Sequence, residues 1–491
     1  MTVQSENLKT KTAKGFLWGG LSNGLQQVFA LIFGIILGRI LMPEDMGIVG
    51  ILTIFSTIAA ALTESGFVSA LSIQKSISHR DYNAVFWFCI IVGSILYLLL
   101  FIASPLISVF FEIPELKNLS RVSFLNFFIS SFGIAHSACL NRNLQVRERA
   151  ISTTIGVVIG GVSGIFAAFL GAGYWALVIQ NLVYCTLVNA GFTYFSRFRP
   201  TLTFDLQPIR RLLAYSSKLL ITNVFININN NFLTATLGKY YATNSSDGVL
   251  STATAGQYNQ ANKWNLMGQT FILSISNTLI QPLMTEVSQS DEQRRARVFR
   301  KLLAFISFMT FPVMFGLSLI SYDFITITIG EKWLDSAGFL RILSIGGAFA
   351  VVSNAFSNYI LSLGRSLIYM WNIIIFGLLQ IAVFVGFRSL GISNLILIYS
   401  GLNIIWLNTW YFICRKSLGY GYRFLFRDVY LYAITAGISY LGTMLWTDSI
   451  SNAYLRLSSN ILSMGVVYLA LCFLHSREIF IEIKKFFLKK L

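Results

Sequence analysis

The sequence predicts an all-α integral membrane protein with about fourteen transmembrane helices. Of its 491 residues, 55% are apolar and only 12% are charged, a composition that water-soluble proteins of this length do not show. The apolar residues are gathered in segments of about 20 residues or more, the length that a helix needs to cross the hydrocarbon core. Short polar loops separate these segments, so we expect no soluble domain.

The apolar segments occupy nearly the whole chain. We predict helices at residues 16–41, 47–73, 84–104, 121–140, 150–171, 174–196, 213–238, 257–284, 301–321, 337–361, 367–387, 392–414, 429–447 and 455–474. We expect no cleavable signal peptide, because residues 1–14 are polar and a full-length apolar segment follows them. The five cysteines lie in or beside these segments without paired CxxC spacing, so we predict no metal site and no cofactor.

The formal net charge of +17 reflects topology and not nucleic-acid binding, because the basic residues are scattered through connecting loops. Every second loop is basic, and the loops between are acidic or nearly neutral. The basic loops include Lys75 and Arg80; Arg142, Arg147 and Arg149; Arg210 and Arg211; and Arg294, Arg295 and Arg297. Because cytoplasmic loops carry the excess of Lys and Arg, we predict that both termini are cytoplasmic.

Two short patterns suggest an internal duplication. They are Leu37-Gly38-Arg39 followed by Gly47, and Leu237-Gly238-Lys239 followed by Gly256, about 200 residues later. An even number of helices separates the two copies, so the halves should have the same orientation in the membrane. We therefore predict two parallel-related six-helix bundles, residues 1–200 and 201–414, and two further helices with a basic cytoplasmic tail, residues 415–491.

Several motifs resemble one known family of transporters. They are Gly38-Arg39-Ile40-Leu41-Met42-Pro43-Glu44-Asp45-Met46-Gly47, Ser65-Gly66-Phe67-Val68-Ser69-Ala70-Leu71, Gly256-Gln257-Tyr258-Asn259-Gln260-Ala261 and Gly330-Glu331-Lys332-Trp333. They are similar to motifs of bacterial polysaccharide and O-antigen flippases, within the multidrug/oligosaccharidyl-lipid/polysaccharide exporter superfamily.

The resemblance implies two helical bundles around a central cavity and alternating access in the bacterial cytoplasmic (inner) membrane. It implies a substrate, an isoprenoid-pyrophosphate-linked oligosaccharide, that moves from the cytoplasmic to the outer leaflet for surface polysaccharide or lipopolysaccharide synthesis. The expected partners are membrane lipids, this substrate, and the polysaccharide polymerase and its assembly machinery, with no nucleic acid.

Two predicted helices carry polar stripes that suit such a substrate. The first stripe contains Asn223, Asn227 and Asn231, and the second contains Asn262, Asn265 and Gln269 beside Trp264. Amides can bind sugar hydroxyls, and an aromatic face can pack on a sugar ring. We interpret the stripes as the lining of a hydrated path. The alternative is that these amides join helices by interhelical hydrogen bonds.

Charged residues near the helices are candidates for the pyrophosphate and for coupling. Arg39, Lys218, Lys239 and Lys263 could bind the pyrophosphate, whereas snorkelling toward headgroups is the alternative for each of them. Glu64 is the only acid well inside a predicted span, so we expect it to be paired or protonated. We predict that Glu64 couples transport to a proton or another ion; its alternative is a hydrogen bond between helices.

Other functions remain open at this point. A cation-coupled multidrug exporter of the same superfamily is the first alternative, but it would call for more embedded acids than Glu64. A membrane polysaccharide polymerase or glycosyltransferase is the second, and the outer loops are short for a catalytic site. We therefore expect a transporter and not an enzyme.

Overall fold

The computed structural model describes residues 2–64, 66–73, 77–205, 207–240, 249–287, 292–419 and 421–475. The regular elements of this part of the chain are helices. Twelve of them are long and apolar enough to cross a membrane by length and composition. Two more, of 34 and 39 residues, are also long enough but more polar. The all-α membrane fold is confirmed, with twelve candidate spans in the described residues against about fourteen predicted.

The chain forms two compact units, unit 1 (residues 1–259) and unit 2 (residues 260–491). Unit 1 contains α1 (Thr2–Ile40), α2 (Pro43–Glu64), α3 (Phe67–Ile73), α4 (His79–Phe111), α5 (Leu116–Ser123), α6 (Leu125–Arg142), α7 (Val146–Phe169), α8 (Trp175–Phe195), α9 (Gln207–Tyr240) and the start of α10 (Val249–Val287). Unit 2 contains the rest of α10, α11 (Glu292–Thr328), α12 (Leu334–Ser362), α13 (Ser366–Phe387), α14 (Ile392–Leu418), α15 (Tyr422–Leu425), α16 (Leu431–Thr447) and α17 (Ala453–His475). The division into 1–200, 201–414 and 415–491 follows the sequence repeat and stays a prediction.

The predicted helix at 47–73 is two helices in the structure. α2 ends at Glu64, and α3 begins at Phe67. Between them, Gly66 has a φ of 70°, a left-handed conformation that ends a right-handed helix and that glycine adopts without steric cost. Glu64 is therefore the last residue of α2 and is not inside a continuous membrane helix.

Close helix packing in unit 1 depends on small residues. α7 carries Gly156, Gly160 and Gly164 at every fourth position, facing α8. A Cβ atom on Gly160 would lie 3.0 Å from the carbonyl oxygen of Gln180. Such close approach lets two membrane helices gain van der Waals contact where lipid offers no hydrophobic driving force.

The segment after α8 folds back onto the start of α4. Nε1 of Trp87 donates to the carbonyl oxygen of Thr201 over 2.7 Å, and the backbone N–H of Thr201 donates to Oδ1 of Asn83 over 2.8 Å. Phe198 is buried, with its ring 5.2 Å from that of His136. These contacts fix the connection that leads from α8 into α9.

Two acid–arginine pairs attach the last part of unit 2 to α11. Nε of Arg456 on α17 donates to Asp323 over 2.9 Å, and Nε of Arg300 donates over 2.9 Å to Asp428, which lies in a π-helical turn just before α16. Both carboxylates are nearly inaccessible, with side chains 7% and 8% exposed. A buried ion pair requires good geometry to offset desolvation, so these contacts specify one docking arrangement.

Candidate functional site

The amides of α9 form a continuous polar stripe in unit 1, as the sequence predicts. Nδ2 of Asn227 donates to the carbonyl oxygen of Asn223, and Nδ2 of Asn231 donates to that of Asn227, both over 2.9 Å. Asn223 is exposed, and the other two are half-buried. Bonding to the carbonyl four residues earlier satisfies part of each amide inside its own helix, so the stripe can remain accessible.

α2 supplies a polar residue, Thr57, that faces this stripe. Nδ2 of Asn231 lies 3.4 Å from Oγ1 of Thr57. A Cβ on Gly238 would contact the side chain of Ile51. A later residue of α9 therefore lies beside an earlier residue of α2, so the two helices are antiparallel. The stretch of α2 from Thr57 to Glu64 therefore runs alongside the stretch of α9 from Asn231 back to Asn223. If both helices continue in this register, Glu64 comes to about the level of Asn223.

Arg149 is the charged group that acts on Glu64. Each side chain is an electrostatic neighbour of the other. Glu64 is exposed, and Arg149 is half-buried, with Nη1 donating to Oδ1 of Asn141 over 2.7 Å. The sequence predicts that Glu64 is paired or protonated, and it places Arg149 only in a basic loop. The fold of unit 1 brings the two within electrostatic range of each other, which sequence spacing does not reveal.

The α10 stripe in unit 2 is mostly buried. Asn265 is 5% exposed and Gln269 is 7% exposed. A Cβ on Gly347 of α12 would lie 2.5 Å from Oδ1 of Asn265 and 2.7 Å from Nε2 of Gln269. Trp264 is also buried, at 3% exposed, with its ring perpendicular to that of Phe324 at 5.0 Å. These three predicted substrate-binding residues pack inside unit 2, where Oδ1 of Asn265 and Nε1 of Trp264 are buried without a hydrogen-bond partner among the described residues.

A different face of α10 is accessible. Lys263, Thr270 and Asn277 are all exposed, whereas Asn262 is half-buried. The spacing of seven residues places the exposed three on one side of the helix. Lys263 was predicted; Thr270 and Asn277 were missed, although their spacing from Lys263 is visible in the sequence. A lysine, a threonine and an asparagine on one face require water or polar partners at membrane depth.

The remaining predicted cations have different environments. Nζ of Lys239 forms an ion pair of 2.6 Å with Glu112 and lies 5.3 Å from the centre of the Phe110 ring. Arg39 is exposed in the last turn of α1. Lys218 belongs to α9, but its side chain lies outside the described part of the structure. Because Glu112 already neutralises Lys239, an anionic ligand would compete with that ion pair for this lysine.

Among the residues that the structure describes, no group of three or more His, Cys, Asp or Glu side chains could hold a metal ion. The five cysteines are all buried and free. The accessible chemistry is therefore that of amides, hydroxyls and single charges, which can bind and release a polar molecule.

Comparison with known proteins identifies relatives over most of the chain. A family model described as polysaccharide biosynthesis protein matches residues 36–338. The lipopolysaccharide biosynthesis protein WzxC of Escherichia coli (strain K12) is 24% identical over 453 residues, 89% of each chain. The teichuronic acid biosynthesis protein TuaB of Bacillus subtilis (strain 168) is 22% identical over 476 residues, 93% of this chain and 94% of that one.

Among solved structures, the inward closed conformation of the lipid II flippase MurJ has a similar fold. Its TM-score is 0.75 at 16% identity, and the match covers 94% of this chain and 100% of that one. At this level of identity the likeness establishes the fold, and the residues of the site have to be argued from this chain.

Proposed function

The chain belongs to the polysaccharide biosynthesis protein family, and on that premise we propose that it is a flippase for a lipid-linked oligosaccharide. It moves an isoprenoid-pyrophosphate-linked sugar unit from the cytoplasmic to the outer leaflet. The sugar head follows polar helix faces, and the isoprenoid tail stays in lipid. Movement of the helices exposes these faces to one side and then to the other.

One observation carries the proposal: α9 and α10 are long enough to span the bilayer but too polar to rank with the twelve apolar spans. Each has a polar face, with Asn223, Asn227 and Asn231 on α9 and Lys263 on α10. A sugar head is covered with hydroxyls, and each polar group left unsatisfied in hydrocarbon costs several kcal/mol. Polar spans lower that cost for a passing head group.

We assign the pyrophosphate to Lys263 of unit 2, and Arg39 of unit 1 is a separate candidate for the same role. Both side chains are exposed, and Lys263 belongs to the polar face of α10. A lysine or arginine forms charge-assisted hydrogen bonds with phosphate oxygens. Replacing Lys263 or Arg39 by glutamine should reduce transport strongly, and unchanged transport in either variant would remove that residue from the site.

We assign ion coupling to Glu64 together with Arg149. When Glu64 is ionised, it attracts the Arg149 guanidinium; when it takes up a proton, this attraction ends. The Glu64→Gln variant should therefore transport with a flattened dependence on pH. Glu148→Gln, on the neighbouring position of α7, serves as the control, and an unchanged pH profile in Glu64→Gln would exclude the coupling role.

We place the protein in the bacterial cytoplasmic membrane with both termini in the cytoplasm, because alternate loops are basic. A reporter that is active only in the cytoplasm should be active when it is fused after Leu491.

We propose that the partners of the protein are the polymerase that extends the delivered sugar units and the associated assembly machinery. Cross-linking in cells that make the polysaccharide would test for them.

Deletion of the gene, followed by analysis of lipid-linked intermediates, tests the function directly. A flippase predicts that a complete sugar unit accumulates on its lipid carrier and faces the cytoplasm. Complementation with the wild-type chain should restore surface polysaccharide. Accumulation of an outward-facing, unpolymerised unit would instead indicate an enzyme of polymerisation and would overturn the proposal.

A further inference from the structure

Three asparagine side chains of α10 and α12 form a hydrogen-bonded cluster in unit 2, here called the amide trio: Asn277, Asn354 and Asn358. Nδ2 of Asn358 donates to Oδ1 of Asn277 over 2.7 Å and to Oδ1 of Asn354 over 2.9 Å. Asn358 is buried at 6% exposed, Asn354 is half-buried, and Asn277 is exposed. A buried asparagine therefore holds two more accessible ones.

This arrangement fixes which end of each accessible amide faces outward. A primary amide has a carbonyl acceptor at one end and an NH₂ donor group at the other. The side-chain NH₂ group of Asn358 donates to the carbonyl oxygens of both Asn277 and Asn354. Their NH₂ groups are thereby turned away from Asn358, so the accessible side of the trio presents hydrogen-bond donors that are already oriented, and binding costs less entropy.

The amide trio lies at one end of the accessible face of α10. Asn277 follows Lys263 by fourteen residues, which is roughly 20 Å along a helix. Thr270 lies halfway between them and is also exposed. The face therefore offers a positive charge at one end, a hydroxyl in the middle and fixed amide donors at the other end, a series that matches an elongated ligand with an anionic end and an oxygen-rich end.

We infer that the amide trio binds a sugar ring of the head group through its hydroxyl and ring oxygens, while Lys263 holds the pyrophosphate end of the same molecule. The inference rests on the proposed flippase function and adds the site that recognises the sugar. A trio that only joined α10 to α12 would depend on the buried Asn358, and the outward NH₂ groups of the other two would have no effect on ligand choice.

The test compares two probes on the purified full-length protein. One is the lipid-linked glycan extracted from the deletion strain, and the other is the same isoprenoid pyrophosphate without sugar. Asn277→Ala and Asn354→Ala should each weaken binding of the glycan-bearing lipid by about tenfold, the effect of losing one to two hydrogen bonds. Binding of the bare lipid should change by less than about twofold. Lys263→Gln should weaken both probes.

Two further variants separate binding from folding. Asn358→Asp replaces the donor by an acceptor, so the amides of Asn277 and Asn354 turn around and present carbonyls; the preference for the sugar-bearing probe should fall. Thermal unfolding is measured alongside, because a buried carboxylate also costs stability. Asn394→Ala is the matched control, because this exposed asparagine on α14 bonds to the carbonyl oxygen of Leu390 in its own chain segment over 2.9 Å. It should behave as wild type.

The outcomes distinguish the two proposals. If wild type prefers the glycan-bearing probe and the Asn277 and Asn354 variants keep that preference, the sugar site is overturned and the flippase proposal stands. If the deletion strain accumulates no cytoplasm-facing lipid-linked glycan, the flippase proposal itself fails.

Discussion

Gly47 of α2 and Gly256 of α10 lie backbone against backbone in unit 1. A Cβ atom on Gly256 would be 3.0 Å from the backbone nitrogen of Gly47 and 1.8 Å from the carbonyl oxygen of Pro43. A Cβ atom on Gly47 would be 1.7 Å from the carbonyl oxygen of Thr252. The two glycines that mark the sequence repeat are thus also in contact, near the N-terminal ends of their helices.

Gly47→Ala and Gly256→Ala should each separate α2 from α10, because the added methyl group would meet rigid backbone. Overpacking of this kind costs about 1 to 3 kcal/mol. We expect a lower unfolding temperature in detergent and reduced transport. Gly442→Ala in α16, where nothing lies within 4 Å of an added Cβ, is the control. Equal behaviour of all three variants would refute the close contact.

The Asp323–Arg456 pair should stabilise the attachment of α17 to α11. Asp323→Ala leaves the Arg456 guanidinium without its carboxylate, and we expect a loss of about 2 kcal/mol, between the values typical of exposed and fully buried pairs. Thermal unfolding of both single variants and the double variant measures the coupling. Additive effects would show that the pair contributes little. Arg80→Ala, in an exposed pair with Asp205, should cost less.

Thiol labelling should distinguish the faces of α10. Cysteine at Thr270 or Asn277 should react with a water-soluble reagent, whereas cysteine at Ser276, which is 0% exposed, should not. Cysteine at Leu462 of α17, which is 69% exposed on an apolar helix, should also stay unlabelled because it faces lipid. The native cysteines are buried and should give a low background. Similar labelling at Asn277 and Leu462 would contradict a hydrated face.

The connection between α8 and α9 should be stable at neutral pH and loosen in acid. The backbone N–H of Gln207, followed by the side chain of Arg80, lowers the pKa of Asp205 below its ordinary value of 3.8. A lowered carboxyl pKa stabilises the folded form above the ordinary pKa, and this contribution is lost as the pH falls through the folded value. The protection of the Gln207 amide, which is its exchange rate relative to the intrinsic rate at the same pH, should therefore stay constant from pH 8 to about pH 4 and fall below it. Asp205→Asn should exchange faster throughout.

Much of the fold could be predicted because hydrophobicity and helix period are local properties. The apolar segments gave the all-α membrane fold, and the break at Gly66 was the main departure, since one left-handed residue interrupts an otherwise apolar run. The site was harder to predict. The stripe at Asn223, Asn227 and Asn231 is accessible, but Asn265 and Gln269 have the same residue types and periodicity and are buried.

The sequence by itself therefore determined that this is an all-α membrane protein, which orientation its loops favour and which helices carry polar residues. Tertiary structure decided which face of α10 is accessible, which arginine acts on Glu64, and how Asn358 orients Asn277 and Asn354. The physical reason is that periodicity shows which residues share a helix face, whereas only the neighbouring helices decide whether an amide on that face bonds to protein or to water.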